Sequence, residues 1–558
     1  MRILFLTHAF NSLTQRLYVE LTAQGHEISI EFDINDSVTV EAVALFKPHL
    51  ILAPYLRRAI PEVIWREHIC LIVHPGIVGD RGPSALDWAI INGVAEWGVT
   101  VLQAEAEMDA GPVWAAETFA MPAAKKSSLY RNEVTEAAVR AVKAAIERLP
   151  DYRAGTWTPQ AVPVQPMQPL MSQSDRAIAW ARDDTATVLR KVHAADGFPG
   201  VADTLFGQAC HIHDARAFPG LGTPGALLGR VGDGVVRATV DGAVWIGHAK
   251  RPGGIKLPVA VTFPEATELP VLADDDGVIR YEERGAVGIL HFDFYNGAIG
   301  TAACERLRVA YQEARQRPTK VIVLAGSADF FSNGLDLKRI EAADSPPDES
   351  WRNINAMDDL CQAIIETDSH LTVAALQGNA GAGGAFLALA ADRVWARDGV
   401  ILNPHYKNMG NLYGSEYWTY LLPRRVGADK AAEIMRHRLP MGVAEAKSLG
   451  FIDAHFGADP GDFLTRAIQR ADNLSESTDY AEILAAKRAQ RAADELTKPL
   501  AGYRAEELKH MQRNFYGFDP SYHVARHHFV DRTPHSWTPR HLARHRELGW
   551  VVPEDTVP

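Results

Sequence analysis

The chain has 558 residues, 47% hydrophobic and 23% charged, with a net charge of −12. That length implies three or four domains with substantial cores, and the acidic balance speaks against a nucleic-acid surface. The four cysteines, Cys70, Cys210, Cys304 and Cys361, lie far apart without a CxxC pair, which fits reduced thiols in a cytoplasmic protein rather than a zinc knuckle or disulfide framework. The longest apolar segment follows Gly384 and stops at Asp392, too short to span a bilayer.

The N-terminal MRILFLTHAF reads as a first buried strand, its apolar run being too short for a signal peptide. Residues 2–7, 27–32, 49–53 and 69–73 are short apolar or β-branched runs. Stretches with helical spacing separate them, such as LTQRLYVELTAQG ending at Gly25. This alternation predicts an α/β domain over 1–160, a parallel sheet with helices on both faces. The segment TWTPQAVPVQPMQPL, with four prolines and no periodicity, reads as a linker. Residues 170–270 hold one helical stretch and then short strands with Gly and Pro turns, which suggests a small β-barrel-like domain. PEATELPVLADDDG reads as a second boundary. From residue 276 a new β/α series begins with VGILHFD, a helix from about Thr301 to Arg317, and VIVLAG, and it extends to about 470. Residues 471–558 are charged and helical in pattern, without a strand signal.

Two constellations carry chemistry. In ICLIVHPGIVGDRGPSALDWAI, His74 follows a buried strand, where parallel α/β sheets place their ligands. Farther on, GVTVLQAEAEMDAGPVW puts Asp109 in a Gly-Pro turn after another strand. A carboxylate beside a histidine fixes its tautomer and stabilises its charged form. Taken alone, such a histidine is as readily structural. The whole pattern, HPGIVGDRGPSALDWAIING with GVTVLQAEAEMDAGP, resembles the formyl-tetrahydrofolate-using formyltransferases over about residues 1–120. The 175–260 module resembles the smaller C-terminal domain of methionyl-tRNA formyltransferase. The resemblance implies formyl transfer by His74 and Asp109, with formyl-tetrahydrofolate as donor. It also sets Arg57 and Ala59, in ILAPYLRRAIP, toward the folate. The family's Asn-x-His motif departs here, because Ile72 occupies the Asn position. A lost oxyanion donor is worth roughly 3–4 kcal/mol in acyl-transfer sites, so either another donor substitutes or the acceptor differs from the family's amine.

The second constellation is QGNAGAGGAFLALAA. Glycines at the mouth of a helix bring backbone N–H groups to an anion, either a dinucleotide pyrophosphate or a charge present only in a transition state. GNAGAGG is not GxGxxG, and no acidic residue ends a second strand some 20 residues on, which disfavours the dinucleotide. Read with the earlier FSNGLDL, the run resembles the crotonase (enoyl-CoA hydratase/isomerase) superfamily over about residues 276–460. That resemblance implies coenzyme A binding and an oxyanion hole from the N–H groups of Leu335 and Gly383. Lys338 either approaches a CoA phosphate or is a solvated helix start. The positions of the two hydratase glutamates are Phe386 and the neighbourhood of His405, so simple hydration lacks its acid and base. The segment NPHYKNMGNLYGSEYWTYLLPRRVG supplies His405, Tyr406 and Glu416 as catalytic candidates; the plainer reading has Tyr406 capping a core and Glu416 favoured by a helix dipole.

A formyltransferase-like front joined to a crotonase-like back resembles the HypX/HoxX-type hydrogenase maturation proteins over nearly the whole chain. The resemblance implies passage of a formyl group from formyl-tetrahydrofolate to coenzyme A, and cleavage of formyl-CoA to CO for the [NiFe]-hydrogenase active site. Partners would be the folate, coenzyme A, and a hydrogenase large-subunit precursor or its maturation proteins, with neither nucleic acid nor membrane. Two alternatives stay open: an acyl-CoA isomerase or hydrolase fused to a formyltransferase, and a non-catalytic folate-binding maturation scaffold. The pairs His523/His527 and His541/His545 have i, i+4 spacing that can chelate a metal. Neither has an acidic third ligand and arginines interleave, so a basic, partly exposed helix face is expected rather than a metal site.

Overall fold

The computed structural model describes residues 1–163, 165–273, 275–547 and 549–552. They form two compact units, residues 1–274 with 534–558, and residues 275–533.

The first unit opens on a six-stranded sheet of β1 (Arg2–Thr7), β2 (Glu27–Phe32), β3 (Leu50–Tyr55), β4 (Cys70–His74), β5 (Glu96–Gln103) and β6 (Val113–Ala120), in the order β2-β1-β3-β4-β5-β6. Every residue of β1 is buried, as expected of a strand covered on both faces. The sheet is mixed rather than wholly parallel. β1 to β4 run parallel, whereas β5 runs antiparallel to both of its neighbours, β4 and β6. Pro75, which has no N–H, follows the last residue of β4, so the ladder stops at His74, opposite Thr100. β4 therefore delivers His74 to the carboxyl end of the sheet.

The expected linker is held against the first unit. Gln160 exchanges backbone hydrogen bonds with Val113, and the Arg81 guanidinium donates to Gln165 O at 2.7 Å. Residue 164 lies outside the described residues. Beyond it, the helix Thr185–Ala195 packs Val188 and Val192 onto a seven-stranded sheet that begins at Val201–Leu205. Among the described residues no ladder joins the two end strands, so its hydrogen bonding is that of an open sheet rather than a closed barrel. The boundary expected over 264–277 contains a strand of this sheet, Val271–Ala273, paired parallel with Leu227–Val231.

The second unit has a six-stranded sheet ordered Ile279–Arg284, Val287–Phe292, Val321–Ala325, Leu371–Leu376, Arg393–Ala396 and Ala454–His455. A smaller four-stranded sheet holds Phe330–Ser332, Asn379–Gly381, Ile401–Asn403 and Met441–Gly442. In it Phe330–Ser332 and Asn379–Gly381 lie side by side and parallel, so the turns that follow them are also adjacent. The core beneath is built by the helices Thr301–Ala314, Pro346–Ile365 and Gly383–Leu389, with Met511 and Phe515 from the later helix Leu500–Tyr516.

The tail departs from expectation. Helices Pro460–Glu476, Tyr480–Thr497, Leu500–Tyr516 and Ser521–Asp531 stay in the second unit, but the described residues from 534 on belong to the first and are mostly non-helical. There they cover β2, the edge strand of the first sheet. Ile30 N–H donates to Leu542 O at 3.0 Å and Phe32 N–H to the Thr538 hydroxyl at 2.8 Å. An uncovered edge strand invites pairing with other chains, and the tail blocks it. Among the described residues no helix is long and apolar enough to cross a membrane.

Candidate active sites

In the first unit, His74 is buried and its Nε2 lies 2.7 Å from Asp80 Oδ2. Its Nδ1 lies 3.8 Å from Asp109 Oδ2, beyond hydrogen-bond reach. Asp109 is in the left-handed backbone region with φ 54°, and its carboxylate accepts the Gly82 N–H at 3.1 Å. Arg81 braces the same turn by donating to Met108 O at 2.7 and 2.9 Å. Gly76 is required between these groups, because a Cβ there would lie 2.4 Å from both His74 Nε2 and Asp80 Oδ2. The histidine is thus flanked by two carboxylates, and a proton taken onto the imidazole would be stabilised from both sides. The geometry brings His74 and Asp109 together, but the tighter partner is Asp80, which the sequence reading missed. Its signal was its place in the same loop, six residues on. Ile72, half-buried in β4, pairs with Ala53 and Leu102. Arg57 and Ala59 lie exposed in the loop after β3, where Arg57 N–H donates to Asp33 Oδ2 at 3.0 Å and its Nε to the Tyr55 hydroxyl at 3.1 Å.

In the second unit, the two adjacent turns put Gly334 and Gly383 together: a Cβ on Gly334 would lie 3.1 Å from Gly383 N. Gly383 opens its helix, so its N–H has no acceptor within the first turn. Ala382 before it has φ 46° and donates its own N–H to Asn403 O, which turns the chain into that helix. Leu335 and Gly383 therefore stand on neighbouring turns, as an oxyanion hole requires.

Against Gly383 sits Glu416, 1% exposed. A Cβ on Gly383 would lie 2.0 Å from Glu416 Oε1, so only glycine leaves room for this carboxyl. Tyr406 donates its hydroxyl to Glu416 Oε2 at 2.6 Å, and its ring stacks on Phe386 at 5.5 Å between centroids. Phe386 is fully buried and cannot carry a proton. Burial, and then the charge of nearby Asp358, push Glu416 up to about 8. The Tyr406 hydroxyl is also held well above its ordinary value, by burial and by the Glu416 charge.

Glu416 does not start a helix, as the plainer sequence reading had it. It lies two residues before the helix Trp418–Val426, in the left-handed region with φ 58°. Its N–H donates to the buried Asp358, and Ser415 and Glu507 complete a network that sequence spacing gave no means of finding. His405 is buried beside Tyr406. Lys338 is half-buried in the first turn of the helix Leu337–Ala342, with its N–H capped by Asp336.

The histidine pairs are engaged elsewhere. His523 contacts Phe515 O and Arg526, and His527 contacts Glu341 and Asp531. The second pair is not on an exposed α-helix: His545 is buried in a 3₁₀ turn against Ser29 and Glu31. Among the described residues no group of three His, Cys, Asp or Glu is placed to hold a metal ion.

Comparison with known proteins places both parts of the chain among described families. Residues 19–146 match the formyl transferase family and 170–265 the formyl transferase C-terminal domain. Residues 290–540 match the enoyl-CoA hydratase/isomerase family. The hydrogenase maturation factor HoxX of Bradyrhizobium diazoefficiens is 54% identical over 561 residues, covering 98% of this chain and 97% of that one. The chain belongs to the HypX/HoxX family of hydrogenase maturation factors. Within this HypX/HoxX family, the crystal structure of HypX from Aquifex aeolicus in complex with tetrahydrofolic acid superimposes with a TM-score of 0.95 at 48% identity, covering 99% of this chain and 100% of that one. A methionyl-tRNA formyltransferase of Burkholderia pseudomallei is 31% identical over 230 residues, 39% of this HypX/HoxX-family chain and 70% of that enzyme.

Proposed function

We propose that the protein moves a formyl group from formyl-tetrahydrofolate to the thiol of coenzyme A and then splits formyl-CoA into CO and coenzyme A, supplying CO to a [NiFe]-hydrogenase. The tetrahydrofolic acid complex of the Aquifex relative supports a folate in the first unit, with Arg57 and Ala59 on its border. The enoyl-CoA hydratase/isomerase match supports coenzyme A in the second, where Lys338 would face a phosphate.

In the first step the thiol attacks the formyl carbon and its proton passes to His74, which Asp80 and Asp109 stabilise in the charged form. The bond from the formyl carbon to the folate nitrogen breaks, and that nitrogen receives the proton. The products are tetrahydrofolate and formyl-CoA. In the second step the N–H groups of Leu335 and Gly383 hold the carbonyl oxygen. Glu416 takes the formyl hydrogen as a proton, the C–H electron pair stays on carbon, and the C–S bond breaks with its pair on sulfur. Tyr406, with His405 beside it, returns the proton to sulfur, giving CO and the free thiol.

The observation that carries this reading is the Glu416 carboxyl seated over Gly383, with its other oxygen on the Tyr406 hydroxyl and Phe386 in place of a hydratase acid. The test is incubation with carbon-labelled formyl-tetrahydrofolate and coenzyme A, the gas being trapped on deoxyhaemoglobin. Labelled CO is expected only when both substrates are present. Label that stays in the folate, or ends as formate, overturns the reading.

A further inference from the structure

Glu416 is held by more than its tyrosine. Glu416 and Tyr417 are successive non-glycine residues in the left-handed region, with φ 58° and 59°. Such a pair persists only where its surroundings fix it. Here two buried carboxyls do so. Asp358, on the helix Pro346–Ile365, accepts the Glu416 N–H through Oδ1 at 2.8 Å. Glu507, on the helix Leu500–Tyr516, accepts the Tyr417 N–H through Oε2 at 2.9 Å and the Thr419 N–H through Oε1 at 2.8 Å.

The same two carboxyls meet at the Ser415 hydroxyl, which lies 2.9 Å from Asp358 Oδ2 and 3.3 Å from Glu507 Oε2. A hydroxyl has one hydrogen and can donate to one of them. The second contact becomes a hydrogen bond only when that carboxyl carries a proton of its own and donates to the Ser415 oxygen. The groups facing this cluster are Tyr406, Tyr413, Tyr417, Cys304, Cys361, Asp359, Arg504 and the carboxyl of Glu416 itself. Arg504 is the cation among them. It stands 3.7 Å from Asp358 and makes its close contact, at 2.6 Å, with Asp359. Burial raises Asp358, Glu416 and Glu507 alike, in keeping with three carboxyls that cannot all be ionised together.

We propose that Asp358 and Glu507 are positioning residues for Glu416: they fix its left-handed backbone and share one proton through Ser415, and the charge they retain governs the ionisation of Glu416. The inference rests on Glu416 being the base of the proposed decarbonylation. Ordinary sequence spacing hides the arrangement, because Asp358 and Glu507 stand 58 and 90 positions from the residues whose N–H groups they accept.

The test is Asp358→Asn in the full chain. The amide oxygen can still accept the Glu416 N–H and the amide nitrogen can donate to Ser415, while no charge can rest on residue 358 and the one the pair retains is on Glu507. CO release from supplied formyl-CoA is measured against pH. Its midpoint is expected to move down by about one pH unit relative to the parent, and an unmoved midpoint overturns the proposal. If Asp358→Asn does not fold, Glu507→Gln is measured in the same way; it leaves the retained charge wholly on Asp358 beside Glu416, so its midpoint is expected to move up, and an unmoved midpoint overturns the proposal. A second readout needs no chemistry: the fall in melting temperature from pH 6 to pH 9 should be smaller in the variant, and an unchanged fall overturns proton sharing. If the parent releases no CO from formyl-CoA, or Glu416→Gln matches it, the base assignment fails instead. The melting profile then decides on the proton sharing alone.

Discussion

His74 stands between two carboxylates of unequal reach, with Asp80 2.7 Å from Nε2 and Asp109 3.8 Å from Nδ1. A carboxylate at the shorter distance fixes which ring nitrogen carries hydrogen and how the ring is turned. Asp80→Asn is therefore expected to slow formyl-CoA formation on the order of 10²-fold, at least as much as Asp109→Asn. Chromatographic detection of formyl-CoA checks this, and transfer at the parental rate would remove Asp80 from the mechanism. Glu416 sets a different dependence. As a base it acts when ionised, and with its ionisation raised to about 8, decarbonylation should rise about tenfold per pH unit below that value and then level off. A rate flat from pH 6 to 8 contradicts the assignment. Glu416→Gln and Tyr406→Phe should both still make formyl-CoA and accumulate it. His74, Asp109, Tyr406 and Glu416 were legible because each lies in a motif with a recognisable neighbourhood. Asp80 was not singled out, because its contact depends on a loop folding back across Gly76, and residue types do not show that closure.

At the scale of elements, the glycine run was legible as a close approach, and the parallel pairing of Phe330–Ser332 with Asn379–Gly381 explains how two distant motifs come to lie side by side. The reversal of β5 was not legible, since a buried strand reads the same in either direction. The tail misled for a related reason: its charged pattern carries no sign of which surface it covers. The structure ties it to β2 through Glu31, whose carboxylate meets His545 at 2.9 Å, Arg546 at 2.8 Å and the Thr538 hydroxyl. Burial would raise Glu31, but the contacts with His545, Thr538 and Arg546 outweigh it and hold Glu31 below its ordinary value. A lowered carboxylate contributes stability above its unfolded value and loses it as pH falls through the folded one. Attachment of the tail is therefore firm at neutral pH and lost in acid. His545→Ala removes one hydrogen-bond partner of the buried Glu31 carboxylate, a loss that typically costs about 1.5–3 kcal/mol. The variant should be cut by trypsin after Arg540 and Arg544 many times faster than the parent at pH 8. Equal cutting rates would mean that the tail is held by other contacts.

Across the whole molecule, each unit carries its own set of candidate residues. His74, Asp80 and Asp109 come from the first sheet and its loops, whereas Leu335, Gly383, Tyr406 and Glu416 come from the second unit alone. No residue of one set is needed to build the other. A lesion in one set should leave the chemistry of the other intact, and that makes the proposed order of reactions testable with two variants. His74→Ala cannot accept the thiol proton, yet it retains the hole and the base, so it should release CO from supplied formyl-CoA at about the parental rate. Glu416→Gln should consume formyl-tetrahydrofolate and stop at formyl-CoA. Neither alone should yield CO from formyl-tetrahydrofolate and coenzyme A, whereas the two mixed should, because formyl-CoA made by one protein can be split by the other. The yield should rise with the concentration of His74→Ala protein, as expected for an intermediate that must diffuse between molecules. CO trapped on deoxyhaemoglobin gives the rate, and chromatography gives the formyl-CoA pool. If Glu416→Gln accumulates formyl-CoA and added His74→Ala protein fails to draw that pool down, the second unit is not a formyl-CoA decarbonylase.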